Sequence, residues 1–117
     1  MTPPTELRVS KDRRTLSVTF PGHAAFIFSA EMLRVLSPSA EVQGHSAEQR
    51  VTVPGKRNVA ILKLEPIGNY AVRITFDDFH DTGIFTWDYF HTLGHEKDSR
   101  WAEYESELAA KGLARDA

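Results

Sequence analysis

Tyr70, Val72, Ile74 and Phe76 alternate with Ala71, Arg73 and Thr75, and this period of two commits the stretch to a half-buried β-strand. An aliphatic run from Val59 to Glu65 precedes it, with Pro66-Ile67-Gly68-Asn69 as a turn between the two, so residues 59–76 predict an antiparallel hairpin. Asp77-Asp78-Phe79-His80-Asp81 then reads as a tight acidic turn leading to a third strand over Thr82 to Phe85. Thr86 caps a short helix bearing Trp87, Phe90 and Leu93, which Gly94 is expected to stop.

The N-terminal part repeats the pattern more briefly. After a frayed, proline-containing tail at 1–5, Leu7 and Val9 alternate with polar neighbours, Ser10 to Arg13 turn, and Leu16, Val18 and Phe20 alternate with Thr15, Ser17 and Thr19. Pro21-Gly22 breaks this second hairpin ahead of a short apolar strand over Ala24 to Phe28. Ser29 caps a two-turn helix carrying Met32, Leu33 and Leu36, with Glu31 in its first turn and Pro38 ending it. From Ser37 to Asn58, prolines, glycines and polar residues predict a long loop with no long regular element. A last helix has Asp98 or Ser99 as N-cap, Trp101, Tyr104 and Leu108 on one face, and Gly112 just past its end. The outcome is a single α+β domain of antiparallel strands and hairpins with short helices, divided into the tail at 1–5, the domain at 6–95 and a C-terminal helical extension at 96–117.

Composition narrows the function. The 117 residues carry 14 basic and 16 acidic side chains for a net charge of −2, which gives no reason to expect nucleic acid or an anionic membrane surface as partner. The absence of cysteine removes disulfides, thiolate metal sites, a resident iron–sulfur cluster and a Cys nucleophile. No leader-like or membrane-spanning segment is read in the chain, so a cytoplasmic protein is expected.

Several residues invite chemistry and each has a plainer reading beside it. His80, flanked by Asp77, Asp78 and Asp81, has the donors for iron, zinc or manganese if His45 or Glu41 comes across from the loop. The plainer reading is a solvated turn whose carboxylates cap local amides. Gly55-Lys56-Arg57 lacks the glycines and following helix of a phosphate loop, and reads as a basic loop facing a partner or water. Ser37-Pro38-Ser39 with His45 and Glu41 has the composition of a nucleophile, base and orienter, but hydroxyls beside proline are ordinary turn residues. Trp87 and Phe90, three apart, belong to the core, and Tyr89 is left for solvent. His23, His91 and His95 show no ligand spacing with a partner and are assigned no role.

Taken jointly, Leu33-Arg34, Ser37-Pro38-Ser39-Ala40-Glu41, Gly44-His45, Gly55-Lys56-Arg57, Gly68-Asn69-Tyr70, Asp77-Asp78, His80, Gly83-Ile84 and Trp87 make the chain similar to a known family. It resembles the DUF971 domain, also called the gamma-butyrobetaine hydroxylase-like N-terminal domain, over about residues 6–95. In carnitine-pathway dioxygenases that domain precedes the catalytic one and holds a structural zinc through three Cys and one His. The resemblance places those positions at Ser37, Ser39, Val42 and His80, so three of the four ligands are replaced. Hydroxyls and an aliphatic group do not substitute for anionic thiolates around zinc. No His-x-Asp or His-x-Glu pair of an iron oxygenase occurs, and hydroxylase activity is not expected.

The same kind of module is found appended to a P-loop iron–sulfur carrier of chloroplasts. The resemblance therefore implies a non-catalytic adaptor with a protein partner, such as an iron–sulfur carrier or an iron enzyme, and no cofactor of its own. The partner surface is expected at Ser37, Ser39, Glu41, His45, Asp77 and Asp81. The alternative expectation is an iron or zinc ion held by His80, His45, Asp78 and Glu41.

Overall fold

The computed structural model describes residues 2–44 and 50–116. Two three-stranded antiparallel sheets form its frame. Strands β1 (Glu6–Val9), β2 (Thr15–Thr19) and β3 (Phe26–Ser29) lie in sequential order, with Leu7 opposite Val18 and Leu16 opposite Phe28. Strands β4 (Ile61–Ile67), β5 (Ala71–Phe76) and β6 (Ile84–Thr86) form the second sheet, also in sequential order. The α+β architecture and both hairpins follow the alternation, since period-two apolar residues bury one face: Leu16, Val18, Ile74 and Phe76 have no exposed surface.

The two sheets are tied at one irregularity. Pairing slips between Ile61 and Lys63, leaving Leu62 as the extra residue of a bulge. The Arg13 guanidinium, from the β1–β2 turn, donates to the carbonyls of Ile61 (3.3 Å) and Leu62 (3.1 Å), while the Arg13 carbonyl accepts from the Ile61 amide at 2.8 Å. Arg13 holds a left-handed φ of 62° to make this reach.

Helix α1 (Ala30–Val35) starts where the Ser29 hydroxyl accepts from the Met32 amide at 2.9 Å. Within the predicted loop a single turn, α2 (Ala40–Gln43), forms after Ser39. Helix α3 (Trp87–His95) is capped by Thr86, whose hydroxyl accepts from the Tyr89 amide at 3.1 Å. Gly94 lies inside this helix and does not stop it: a Cβ there would come within 2.6 Å of the Phe26 ring, so the glycine serves close packing of α3 on β3. Tyr89 is half-buried, its hydroxyl donating to the Leu36 carbonyl, which corrects its assignment to solvent.

Helix α4 (Lys97–Ala110) begins at Glu96, ahead of the expected Asp98 or Ser99 cap. It ends as expected at Gly112, whose φ is 65°. The Leu113 amide reaches back to the Leu108 carbonyl at 2.9 Å and the Gly112 amide to the Ala109 carbonyl at 3.3 Å, which satisfies the last carbonyls of the helix. This turn sends residues 114–116 beside residues 55–57, where Gly55 and Arg57 amides bond the Ala114 and Arg115 carbonyls. The core between sheets and helices is aromatic, with Phe90 stacked on Phe85 and tilted against Phe28.

Candidate functional site

Three segments meet at one corner: the end of α1, the Ser37–Gln43 stretch, and the turn from Asp77 to Asp81 between β5 and β6. Asp78 organises it. Its Oδ2 takes Arg34 Nε at 2.7 Å and Lys56 Nζ at 2.6 Å, while Oδ1 accepts from the His80 amide at 3.1 Å. Burial pushes the Asp78 carboxyl up, but hydrogen bonds from Lys56, Arg34 and the His80 amide prevail and hold it at about 2. Lys56 and Arg57 therefore face carboxylates of their own chain, Arg57 taking Asp116, rather than standing free as a basic loop.

The His80 ring is almost wholly enclosed and both its nitrogens are engaged. Glu41 Oε2 lies 3.2 Å from Nδ1; Ser37 Oγ and Ser39 Oγ lie 3.1 and 3.4 Å from Nε2. Burial and the neighbouring Arg34 charge lower the His80 pKa, against the opposing pull of Glu41, Asp78 and Asp81. A neutral ring facing a carboxylate at Nδ1 carries its proton there, which leaves Nε2 to accept from the serines. Serine, imidazole and carboxylate thus stand in relay order. The Ser37 hydroxyl has no solvent-exposed surface, however, so no substrate carbonyl reaches it for acyl transfer.

The positions given to zinc ligands by the resemblance carry donors of another kind. Ser37 and Ser39 converge on His80 as neutral hydroxyls satisfied by the ring, and Val42 is a buried aliphatic group. This set does not fit the three-thiolate zinc site. Of the residues expected to hold a metal instead, His80 and Glu41 are adjacent, Asp78 directs its carboxylate to Arg34 and Lys56, and His45 lies outside the described residues. Among the described residues no group of three or more His, Asp or Glu side chains is placed to hold a metal ion.

Of the expected partner surface, Ser37 and Ser39 are buried beneath it, while Glu41, Asp77 and Asp81 are exposed. Asp77 also closes the hairpin, accepting from the Ala60 amide at 3.1 Å and donating its own amide to the Ala60 carbonyl at 2.9 Å. Among the described residues the most exposed large apolar group is one that sequence reasoning passed over. Phe79 stands 82% exposed at a φ of 67°, on a turn closed by bonds from its amide to the Phe76 carbonyl and from the Phe76 amide to the His80 carbonyl. A bulky residue with that φ is an outlier, and four polar residues around an aromatic one were the available signal.

The histidines assigned no role also come together. His91 and His95, one turn apart on α3, have ring centres 4.5 Å apart, and His23 from the β2–β3 turn approaches to 5.8 and 6.5 Å. The four-residue spacing becomes a shared helix face only because α3 runs on through Gly94 to His95, whereas the sequence reading ends the helix at the glycine, and the approach of His23 is tertiary.

The model of the gamma-butyrobetaine hydroxylase-like, N-terminal family matches residues 7–91. The chain belongs to that family. It is similar to two proteins known from NMR solution structures: one 46% identical, TM-score 0.85, covering 99% of this chain and 91% of the other; one 39% identical, TM-score 0.83, covering 98% and 86%. A crystal structure of a DUF971-family protein of unknown function from Acidithiobacillus ferrooxidans is 34% identical, with a TM-score of 0.64 over 78% of this chain and 91% of that one. No functionally curated protein matches the chain.

Proposed function

We propose that this member of the family is a non-catalytic adaptor whose recognition surface is the corner of Glu41, Asp77, Phe79 and Asp81, with Phe79 as its anchor. The observation that carries this reading is the Phe79 ring, held in solvent by a left-handed backbone that a bulky side chain adopts at an energetic cost. Aromatic side chains, phenylalanine included, are enriched at protein interfaces, where a few buried anchors carry most of the binding energy. The underlying Asp78 clamp and His80 cluster keep the turn rigid, so little ordering is left to oppose binding.

The partner is an iron–sulfur carrier or an iron enzyme during its maturation. Support for this comes from the family resemblance and from the lack of cysteine, which leaves any cluster to the partner. The test places a photo-crosslinking amino acid at position 79, and separately at exposed Tyr70, in the full chain within its own cells, followed by iron analysis of what is captured. An iron-containing adduct specific to position 79, and lost from a neighbouring crosslink site when Phe79→Ser is introduced, supports the reading. Identical adducts from both positions, or capture indifferent to Phe79→Ser, overturn it. Near-stoichiometric iron or zinc in the purified chain that His80→Ala removes would favour a metal-binding function at this corner instead.

A further inference from the structure

At the end of β5 away from Phe79, the chain sets a proline of its own beside two aromatic rings. Pro3, from the N-terminal tail, lines a cleft of about 330 Å³ together with Asn69, Tyr70, Thr86, Trp87 and Asp88. The indole wall of this cleft is fixed from behind. Trp87 donates its amide to the Tyr70 carbonyl at 3.2 Å and its indole N–H to the Asn69 carbonyl at 2.9 Å, and its ring stacks on the buried Phe90 ring with centres 6.4 Å apart. Tyr70 is 54% exposed and lies back over Gly68, where a Cβ would stand 3.1 Å from two of its ring carbons and where φ is 54°. The β4–β5 turn and the start of α3 therefore present two aromatic side chains before anything binds.

Proline suits such a cleft. A proline-rich segment is already extended, loses little freedom on docking, packs its rings into aromatic-lined grooves and has no internal hydrogen bonds, so its carbonyls are open to donors. The Tyr70 hydroxyl and the Asn69 amide, both on exposed residues of the rim, are donors of that kind. The resident proline is lightly held: Pro3 is exposed, and among the described residues the first hydrogen bonds that tie down the tail are those of Thr5 to the Thr19 carbonyl. Asp88 adds a sign to the site. It is exposed on the same cleft, and among the described residues it takes no ion pair, so a cation is the complementary group.

We propose that this cleft docks a proline-rich segment of a partner protein, which displaces Pro3 and sets an arginine or lysine beside its prolines against Asp88. The inference does not depend on the adaptor reading. Tyr70 and Phe79 lie beyond opposite ends of the six-residue strand β5, about 20 Å apart at the usual rise of a strand, so the two surfaces take separate segments.

The test titrates the full chain with a synthetic decapeptide of prolines ending in one arginine, while NMR follows the indole signals of Trp87 and Trp101 and the ring signals of Tyr70. Saturable movement of the Trp87 and Tyr70 signals is expected, with the Trp101 indole on α4 unmoved and no binding of a glycine–serine peptide that carries the same arginine. Tyr70→Ala, at an exposed position, is expected to weaken binding roughly tenfold or more. Asp88→Asn should bring the arginine-bearing peptide down to the level of an all-proline one. Pro3→Ser combined with Pro4→Ser should tighten binding, because the chain's own competitor is removed. The inference is overturned by no saturable binding at millimolar peptide, by equal binding of the glycine–serine peptide, or by indifference to Tyr70→Ala. Weaker binding in the Pro3→Ser/Pro4→Ser chain would make the tail a wall of the cleft rather than its occupant, and self-association lost in that chain would give the cleft to the tail of a second copy; either result overturns it as well.

Discussion

Gly83 lies directly against Ser37: a Cβ at position 83 would overlap the Ser37 hydroxyl oxygen, at 3.5 Å from the Ser37 Cβ and 3.1 Å from the Phe85 ring. The glycine just ahead of β6 is therefore what lets the serine reach His80. Gly83→Ala is expected to destabilise the fold by about 1–3 kcal/mol, the usual penalty for overpacking. In a Ser37→Ala background the overlap disappears and the same substitution should cost clearly less. Urea unfolding of the four variants measures this; equal costs in both backgrounds would refute the contact.

The Asp78 clamp has a pH signature. Its folded pKa, about 2, lies below the 3.8 of the free group, so its stabilisation is fully present above about pH 5 and is lost as pH falls through 3.8 toward 2. Allowing for solvent screening at a partly exposed pair, the contribution is about 1–2 kcal/mol. The difference in unfolding free energy between the native chain and Asp78→Asn should be largest near neutral pH and close toward pH 2. A difference that stays constant from pH 6 to pH 2 would detach the pair from stability.

Much of this was legible beforehand because the information is local. Alternation at 70–76 specifies its strand, Ser29 and Thr86 specify their caps, and Gly112 specifies its helix end, each through contacts within a few residues. Gly94 misled because a glycine near a helix end is read as a stop, while its reason lies in Phe26, distant in sequence. The corner was half legible for the same cause. Ser37, Ser39, Glu41 and His80 could be grouped, but Arg34 and Lys56 as the partners of Asp78, and the enclosure of Ser37, depend on tertiary packing that no spacing encodes.

His80 titrates in the opposite sense from a surface histidine beside a carboxylate. Because burial lowers its folded pKa below 6.5, the unfolded chain binds the proton first, and stability declines as pH falls below 6.5 until the folded ring also protonates. His80→Gln should flatten the pH dependence of stability in that range. NMR titration of the His80 ring should give a midpoint below 6.5; a midpoint above it would mean that the Glu41 carboxylate outweighs burial.

Glu31 and Arg115 form an ion pair that ties α1 to the end of the chain. Both guanidinium contacts are short, Nε to Oε2 at 2.8 Å and Nη2 to Oε1 at 2.7 Å, and Arg115 also covers the Trp101 ring at 5.1 Å. Glu31 is only 5% exposed, so removing its partner strands a carboxylate where water scarcely reaches. Arg115→Ala is expected to cost about 3 kcal/mol, the low end for a broken buried pair because the arginine itself is partly solvated. Truncation after Leu113 should cost at least as much, since it also removes the backbone bonds from Gly55 and Arg57. Glu31→Met combined with Arg115→Ala should recover part of the loss by leaving no charge unpaired. Unfolding curves in denaturant decide the matter: an Arg115→Ala protein within about 0.5 kcal/mol of the native chain would place the pair among weak surface contacts.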